Sequence, residues 1–147
     1  MHTFTVAAYY FPNYHADPRN EEAHGPGWTE WDLLRHAKPR FRGHRQPRIP
    51  AWGYEDEADP RVFARKIDAA ADHGIDVFLF DWYWHGNRPY LERALNEGYL
   101  AARNRDRLRF ALMWANHDWG DIPGGVAAEG FDALTTHVVQ DLSLIHI

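Results

Sequence analysis

Three segments of the chain are almost continuously apolar and rich in β-branched and aromatic residues, a pattern typical of strands that are buried on both faces. They are Thr5–Phe11, Val77–Trp84 and Arg109–Trp114. Strands of this kind occur in parallel sheets that are covered by helices. The sequence therefore predicts a parallel sheet that contains these segments.

A helix is predicted between the first two strands by signals at both of its ends. Asp59 is a favourable N-cap, Pro60 suits the first helical position, and Gly74 follows the last turn. Apolar residues at helical spacing define the side of this helix that faces the core, namely Val62, Phe63, Ile67 and Ala70.

Two further helices follow from apolar residues at helical spacing. The first is expected to begin near Asn87–Pro89 and to be interrupted or ended by Gly98. The apolar residues that predict the two helices are, in chain order, Leu91, Ala94, Leu95, Phe131, Leu134 and Val138.

Strands and helices thus alternate along the chain, as they do in a (β/α)₈ barrel or a doubly wound sheet. A dinucleotide-binding sheet needs a Gly-x-Gly-x-x-Gly turn after the first strand, but the sequence there is Pro12-Asn13-Tyr14-His15. The barrel is therefore favoured. The connection of about 45 residues between the first strand and the first helix is too long for an ordinary βα loop, and we interpret it as a functional loop.

A TIM-type barrel takes about 250 residues and eight strands, whereas this chain has 147 residues. We therefore expect an α/β fold that forms the N-terminal part, about three βα units, of a truncated (β/α)₈ barrel. Residues 1–141 are expected to be a portion of a single barrel domain. Leu142–Ile147 can be encoded by CTG TCT CTT ATA CAC ATC, which resembles the transposon-end adapter of sequencing libraries, so residues 142–147 are expected to be a non-native tail.

The net charge of −5 argues against nucleic acid or an anionic membrane as a partner, because neither attracts an acidic surface. The chain has no cysteine, which excludes a disulfide, a thiolate metal site and a Cys nucleophile. No stretch reaches the length of a membrane span. The N-terminus lacks the features of a signal peptide, so a cytoplasmic location is the default expectation, with secretion left open if the start is misassigned.

Aromatic residues make up 15% of the chain and include seven Trp, and many follow the predicted strands. The ends of barrel strands meet on one rim, where active sites lie. Sugars are held by aromatic rings on their apolar faces and by polar groups on their hydroxyls. The alternative is that these rings pack in the core. The predicted contacts to an oligosaccharide or polysaccharide are Tyr9, Tyr10, Trp28, Glu30, Trp31, Asp81, Trp82, Trp84, Trp114, Asn116, His117 and Asp118.

Glycoside hydrolysis ordinarily needs two carboxyl groups that flank the scissile bond. The candidates in this chain are Glu30 in the long loop and Asp81 and Asp118 at strand ends. Glu30 could equally be a surface carboxylate paired with an arginine. No His-Glu-x-x-His or comparable spacing occurs, so we predict neither a metal nor another cofactor. The basic segment Lys38–Arg48 could contact a charged sugar or a phosphate, although a solvated loop is the simpler interpretation.

An ordered series of short motifs, which is more specific than any one of them, resembles the glycoside hydrolase family 99-like proteins over about residues 5–141. The motifs are Tyr9-Tyr10-Phe11-Pro12, Gly27-Trp28-Thr29-Glu30-Trp31, Lys38-Pro39-Arg40-Phe41-Arg42-Gly43-His44-Arg45-Gln46-Pro47, Gly53-Tyr54, Asp59-Pro60, His73-Gly74-Ile75-Asp76 and Trp114-Ala115-Asn116. The resemblance implies a (β/α)₈ barrel that acts on glycans. Some proteins of this group are described as polysaccharide-biosynthesis glycosyltransferases.

The family 99 enzymes themselves are retaining endo-α-mannosidases whose essential carboxylates come from a Glu-x-x-Glu element on a later strand. This chain contains no Glu-x-x-Glu. The resemblance therefore implies a glycoside hydrolase whose acid pair lies beyond this chain, and the chain alone is expected to be inactive. Two alternatives stay open, a glycosyltransferase of polysaccharide biosynthesis and a non-catalytic glycan-binding barrel.

Overall fold

The computed structural model of the protein describes residues 4–85 and 87–115. Its four strands are β1 (Ala7–Tyr10), β2 (Val77–His85), β3 (Arg88–Tyr90) and β4 (Arg109–Trp114). Its helices are α1 (Pro18–His24), α2 (Trp31–Arg35) and α3 (Pro60–Asp72), followed by a π-helical turn (Ala94–Tyr99) and a 3₁₀ turn (Arg105–Arg107). The helix predicted around residues 131–138 lies outside the described residues.

The central strand β2 is parallel to both of its neighbours, β1 and β4. Ala7 of β1 pairs with Val77, and Arg109 of β4 pairs with the same residue from the other side. The prediction that the three apolar segments form neighbouring parallel strands is therefore confirmed. The sheet is compatible with consecutive βα units, and its closure into a barrel stays a prediction.

Helix α3 packs on one face of this sheet and forms the core with it. The Asp59 side chain accepts a hydrogen bond from the backbone N–H of Arg61 at 2.8 Å, and Pro60 opens the helix, as its sequence predicts. Phe63 and Ile67 of α3 are fully buried against the sheet. Buried partners of these residues come from the strands and the later turns, namely Phe78, Phe80, Ala94, Leu95, Tyr99, Ala102 and Leu108.

The helix predicted to begin near Asn87–Pro89 is wrong at its start. Asn87 is in a turn, and Arg88 and Pro89 belong to β3, which pairs antiparallel with the end of β2, with Tyr83 opposite Tyr90. Asn87 has φ 61° and Leu91 has φ 57°, a left-handed conformation that does not continue a helix. Helical structure begins only at Ala94, after the chain has left the strand.

Gly98 lies inside the π-helical turn and does not end it. A Cβ atom at this position would collide with the carbonyl oxygen of Glu57 and with the ring of Phe63. The glycine therefore lets the turn approach the segment before α3 and the aromatic core at the same point.

The long connection between β1 and α3 contains α1 and α2 and is tied to the rest of the fold. Asp17 caps α1 through the backbone N–H of Arg19 at 2.9 Å and also accepts the N–H of Leu91 at 3.2 Å. Arg93 donates from Nη1 to the carbonyl of Ala16 at 2.8 Å. The start of the connection is thus held against the segment that follows β3. Within the described residues, no helix has the length and apolarity needed to cross a membrane.

We expect Gly98→Ala to lower the free energy of unfolding by about 1–3 kcal/mol, the usual cost of forcing an extra group into a packed site. Chemical denaturation of the two proteins measures this difference. Asn96→Ala is the matched control, because Asn96 lies in the same turn and is exposed. Equal stability of Gly98→Ala and the native protein would contradict the close approach.

Candidate functional site

The carboxyl ends of β1, β2 and β4 lie along one edge of the parallel sheet. Tyr9, Asp81 and Trp114 are at this edge, since Tyr9 pairs with Leu79 and Asp81 with Met113. Trp84 lies beyond the part of β2 that pairs with β1 and β4 and is opposite Pro89 of β3, and its ring stacks on Trp114 with centroids 6.2 Å apart. These residues therefore share one end of the sheet, as the strand order predicts, with Trp114 in register with Trp82 and Asp81 in register with Met113. Asn116, His117 and Asp118 lie outside the described residues.

Alternation along the strands sends neighbouring candidates to opposite faces of the sheet. Tyr10 faces α3, where its ring lies 4.8 Å from Phe78 and 4.9 Å from Phe80. Trp82 also packs against the core on this side. Tyr9 points the other way and is 67% exposed within the described residues. Tyr10 and Trp82 thus occupy core positions, whereas Tyr9 stays accessible.

Asp81 and Tyr83 form a buried pair at the end of β2. They are two residues apart on the strand and share one face, and the Tyr83 hydroxyl donates to Asp81 Oδ2 at 2.9 Å. Burial, followed by the hydrogen bond and the charge of Asp81, raises the pKa of Tyr83 well above its usual value. Tyr83 therefore stays protonated and can hold the carboxylate of Asp81 at the edge of the sheet.

Glu30 is a half-buried carboxyl group that immediately precedes α2. Its Oε1 accepts a hydrogen bond from Asn13 Nδ2 at 3.3 Å. Burial raises the pKa of Glu30, and the charge of Glu57 adds to this effect, while the Asn13 hydrogen bond opposes it. A carboxyl group with a raised pKa holds its proton at a higher pH than an exposed one, which suits a general acid.

The charge of Glu30 links it to hydroxyl groups from three segments of the chain. It contributes to the raised pKa of Tyr14, after burial, and to that of Tyr83. It also contributes to the pKa of Tyr90, which burial above all raises to about 12. Tyr83 and Tyr90 are cross-strand neighbours with ring centroids 6.3 Å apart. We call the Asp81–Tyr83 pair, Tyr90 and Glu30, whose charge acts on both tyrosines, the carboxyl–tyrosine cluster.

The two tryptophans that flank Glu30 have partners within the loop. Trp31 stacks on Tyr14 with ring centroids 3.8 Å apart, and its Nε1 donates to the carbonyl of Glu55 at 2.7 Å. Trp28 stacks on His24 with centroids 4.2 Å apart. Trp31 thus packs inside the long connection, and both tryptophans, which the sequence predicts to contact a glycan, stack on side chains of this connection.

Sequence reasoning did not select Asn13, Tyr83 or Tyr90. The period of two along a strand places Tyr83 on the same face as Asp81, so Tyr83 was accessible to prediction. Tyr90 depends on the hairpin, for which the Gly86-Asn87 dipeptide is a typical turn signal. Asn13 is found only through its contact with Glu30, 17 residues later in the chain.

His15, which directly follows Tyr14 in the long connection, is fully buried. Neither of its ring nitrogens has a hydrogen-bond partner among the described residues. Burial lowers the pKa of His15, the charge of Glu57 opposes this shift, and the charge of Arg93 adds to it. The neutral imidazole is therefore the form that the fold accommodates. Among residues 4–85 and 87–115, no group of three or more His, Asp or Glu side chains is arranged to hold a metal ion.

The structure thus defines an α/β protein with carboxyl, hydroxyl and aromatic groups gathered at the carboxyl edge of a parallel sheet. Residues 6–129 match the family described as Glycosyltransferase WbsX, and the chain belongs to this carbohydrate-active family. This confirms the predicted resemblance at the level of a glycan-active group that includes glycosyltransferases.

Two curated relatives are similar to this chain, both described as uncharacterized protein WxcX of Xanthomonas campestris pv. campestris, from strain B100 and strain ATCC 33913. Each is 35% identical over 116 residues. The match covers 78% of this chain and 16% of each relative, so the chain spans about a sixth of their length. No solved structure matches the chain at a significant level.

We expect Glu30→Gln to raise the free energy of unfolding at neutral pH. The raised pKa of Glu30 means that its ionised form is disfavoured in the folded state, and glutamine removes that cost. Below the usual glutamate pKa, Glu30 of the unsubstituted protein is neutral in both the folded and the unfolded state. The difference in unfolding free energy between the two proteins should therefore vanish there. Glu22→Gln, at an exposed position, is the control. A stability difference that does not change with pH would argue against a buried charge.

The lowered pKa of His15 predicts acid sensitivity. Stability that depends on a neutral His15 is fully present above the usual histidine pKa of about 6.5 and is lost as the pH falls below it. His15→Leu should therefore flatten the fall of the unfolding free energy between about pH 7 and pH 5, measured by denaturation at each pH. His36→Leu, at an exposed position, should leave the slope unchanged. An unchanged slope in His15→Leu would show that another group is responsible.

Proposed function

We propose that the full-length protein cleaves a glycosidic bond in an oligosaccharide or polysaccharide bound at the carboxyl edge of the parallel sheet. The observation that carries this proposal is the carboxyl–tyrosine cluster, in which Tyr83 donates to the buried Asp81 at the end of β2 and the half-buried Glu30 has a raised pKa and acts on Tyr83 through its charge. Glycoside cleavage needs one carboxyl group that gives a proton and a second that stays ionised.

In this reaction, Glu30 gives its proton to the leaving glycosidic oxygen as the bond between that oxygen and the anomeric carbon breaks. Water supplies the hydroxyl group that ends on the anomeric carbon, and its remaining proton returns to a carboxylate. The second carboxyl group is Asp81 or a residue outside the described part of the chain. The separation of the two carboxyl groups then decides whether the configuration is retained or inverted.

The aromatic residues of the edge support a sugar as the substrate. Trp84 is 38% exposed and is stacked on Trp114, which leaves part of an aromatic surface open at the strand ends. Such a surface suits the apolar face of a sugar ring. Tyr9, also exposed, adds a ring and a hydroxyl at the end of β1.

The family description favours a second candidate, transfer of a sugar from an activated donor to an acceptor glycan. The segment Lys38–Arg48 supports it, because Arg40, Arg42 and Arg45 are exposed and could contact the phosphates of a donor. Both candidates use the same glycan at the same edge. They differ in whether a phosphate-containing donor is consumed.

The test uses the full-length protein with α-mannan and other glycans, and separately with nucleotide sugars and glycan acceptors. Cleavage releases reducing ends in the absence of a donor. We expect this release, and we expect Glu30→Gln to lower kcat by about 10²- to 10⁴-fold, the usual contribution of a general acid. Donor-dependent glycan extension without release of reducing ends would overturn hydrolysis in favour of transfer.

We expect Trp84→Ala to weaken glycan binding about fivefold to tenfold, which corresponds to about 1–1.4 kcal/mol. The partly exposed side chain contributes less to stability than a core residue, so the unfolding midpoint should change little. Calorimetric titration and thermal unfolding measure the two effects. Trp52→Ala is the control, because Trp52 is 48% exposed but packs against Arg65 of α3. Equal losses of glycan binding in the two variants would show that Trp84 does not contact the glycan.

A further inference from the structure

Glu57 is a buried carboxylate that the proposed reaction does not use. It is 2% exposed and lies just before α3. Its Oε1 accepts hydrogen bonds from the Tyr10 hydroxyl and from Lys66 Nζ, both at 2.5 Å. Its Oε2 accepts the backbone N–H of Tyr14 at 2.9 Å. Glu57 thus joins β1, α3 and the start of the long connection at one point.

Tyr14 is held by Glu57 twice, since its carbonyl also accepts the backbone N–H of Glu57 at 3.0 Å. The Tyr14 ring in turn stacks on Trp31 with centroids 3.8 Å apart. Trp31 directly follows Glu30, and Asn13, which donates to Glu30, directly precedes Tyr14. Tyr14, which Glu57 anchors, is therefore linked to Glu30 in two ways, through the Asn13 hydrogen bond and through the stacked ring of Trp31.

We propose that Glu57 is a positioning residue for the Glu30 carboxyl group, acting through Tyr14, Asn13 and Trp31, an inference whose catalytic consequence rests on the proposed function. The route is short and made of direct contacts, which is the kind of support that keeps a reactive group in one geometry. A misplacement of the order of 1 Å can cost about 10²-fold in rate.

Charge supports the same connection. The carboxylate of Glu57 contributes to the raised pKa of Glu30, after burial. The other titratable groups coupled to Glu30 are the hydroxyls of Tyr14, Tyr83 and Tyr90. Lys66 and Tyr10 contact Glu57 directly. The charge of Glu57 also contributes to the pKa of His15. Removing the charge of Glu57 should therefore lower the pKa of Glu30.

The experiment compares Glu57→Gln with Tyr10→Phe in the full-length protein. Tyr10→Phe removes one hydrogen bond from Glu57 but keeps its charge and its bond to Tyr14. The pKa of Glu30 is measured by NMR of ¹³C-labelled glutamate side chains, with Glu30→Gln to assign the signal. We expect a lower pKa of Glu30 in Glu57→Gln only, together with a loss of kcat of about ten- to a hundredfold and a matching shift of the pH profile.

The NMR titration separates this inference from the proposed function. A shifted pKa of Glu30 in a protein that cleaves no glycan supports the positioning role and rejects the reaction. An unchanged pKa of Glu30 in Glu57→Gln, or the same change in Tyr10→Phe, overturns the positioning role whatever the activity. If Glu57→Gln does not fold, Tyr14→Leu breaks the route one step nearer to Glu30, and an unchanged Glu30 signal and kcat in that variant also overturn it.

Discussion

The buried ion pair of Glu57 and Lys66 is the contact on which the described fold depends most. Its two side chains retain 3% and 18% of their surface, and their charged atoms are 2.5 Å apart. A charge placed out of water in this way is tolerated only with good geometry and further hydrogen bonds, which Tyr10 and the backbone of Tyr14 supply. Loss of one partner alone typically costs about 3–5 kcal/mol, because the other charge is left buried.

The position of this pair explains how a connection of such length keeps a defined path. Glu57, near the end of the connection, binds the backbone of Tyr14 near its start. Asp17 binds the backbone of Leu91, which follows β3. In the middle of the connection, Trp31 donates to the carbonyl of Glu55. Gly98 lets the π-helical turn reach the backbone of Glu57. The loop that carries Glu30 is therefore supported from the core side, and the carboxyl group is placed by contacts that lie outside the candidate site.

The aromatic richness of the chain has two physical roles that composition does not separate. Tyr10, Phe63, Phe78, Phe80, Tyr99 and Phe110 surround one another in the core, with ring centroids 4.8 to 6.3 Å apart. Tyr9, Trp84 and Trp114 lie at the edge of the sheet. The family match is to a carbohydrate-active group, and the second set is the one that we propose to contact a glycan. The core set stabilises the sheet, and the sheet carries the second set at its carboxyl edge.

The sequence by itself determined the three parallel strands, the helix α3 and the position of Asp81 and Trp114 at one end of the sheet, because continuous apolarity, capping residues and the common direction of parallel strands are local or depend on period alone. Its motif order also indicated a carbohydrate-active group. Only the tertiary structure decided that Tyr10 faces the core, that β3 replaces the start of a helix, that Asn13 donates to Glu30 and that Glu57 binds the backbone of Tyr14. Those outcomes depend on the face that each strand turns to α3 and on contacts between residues 17 to 74 positions apart, and no local pattern encodes distances of that kind.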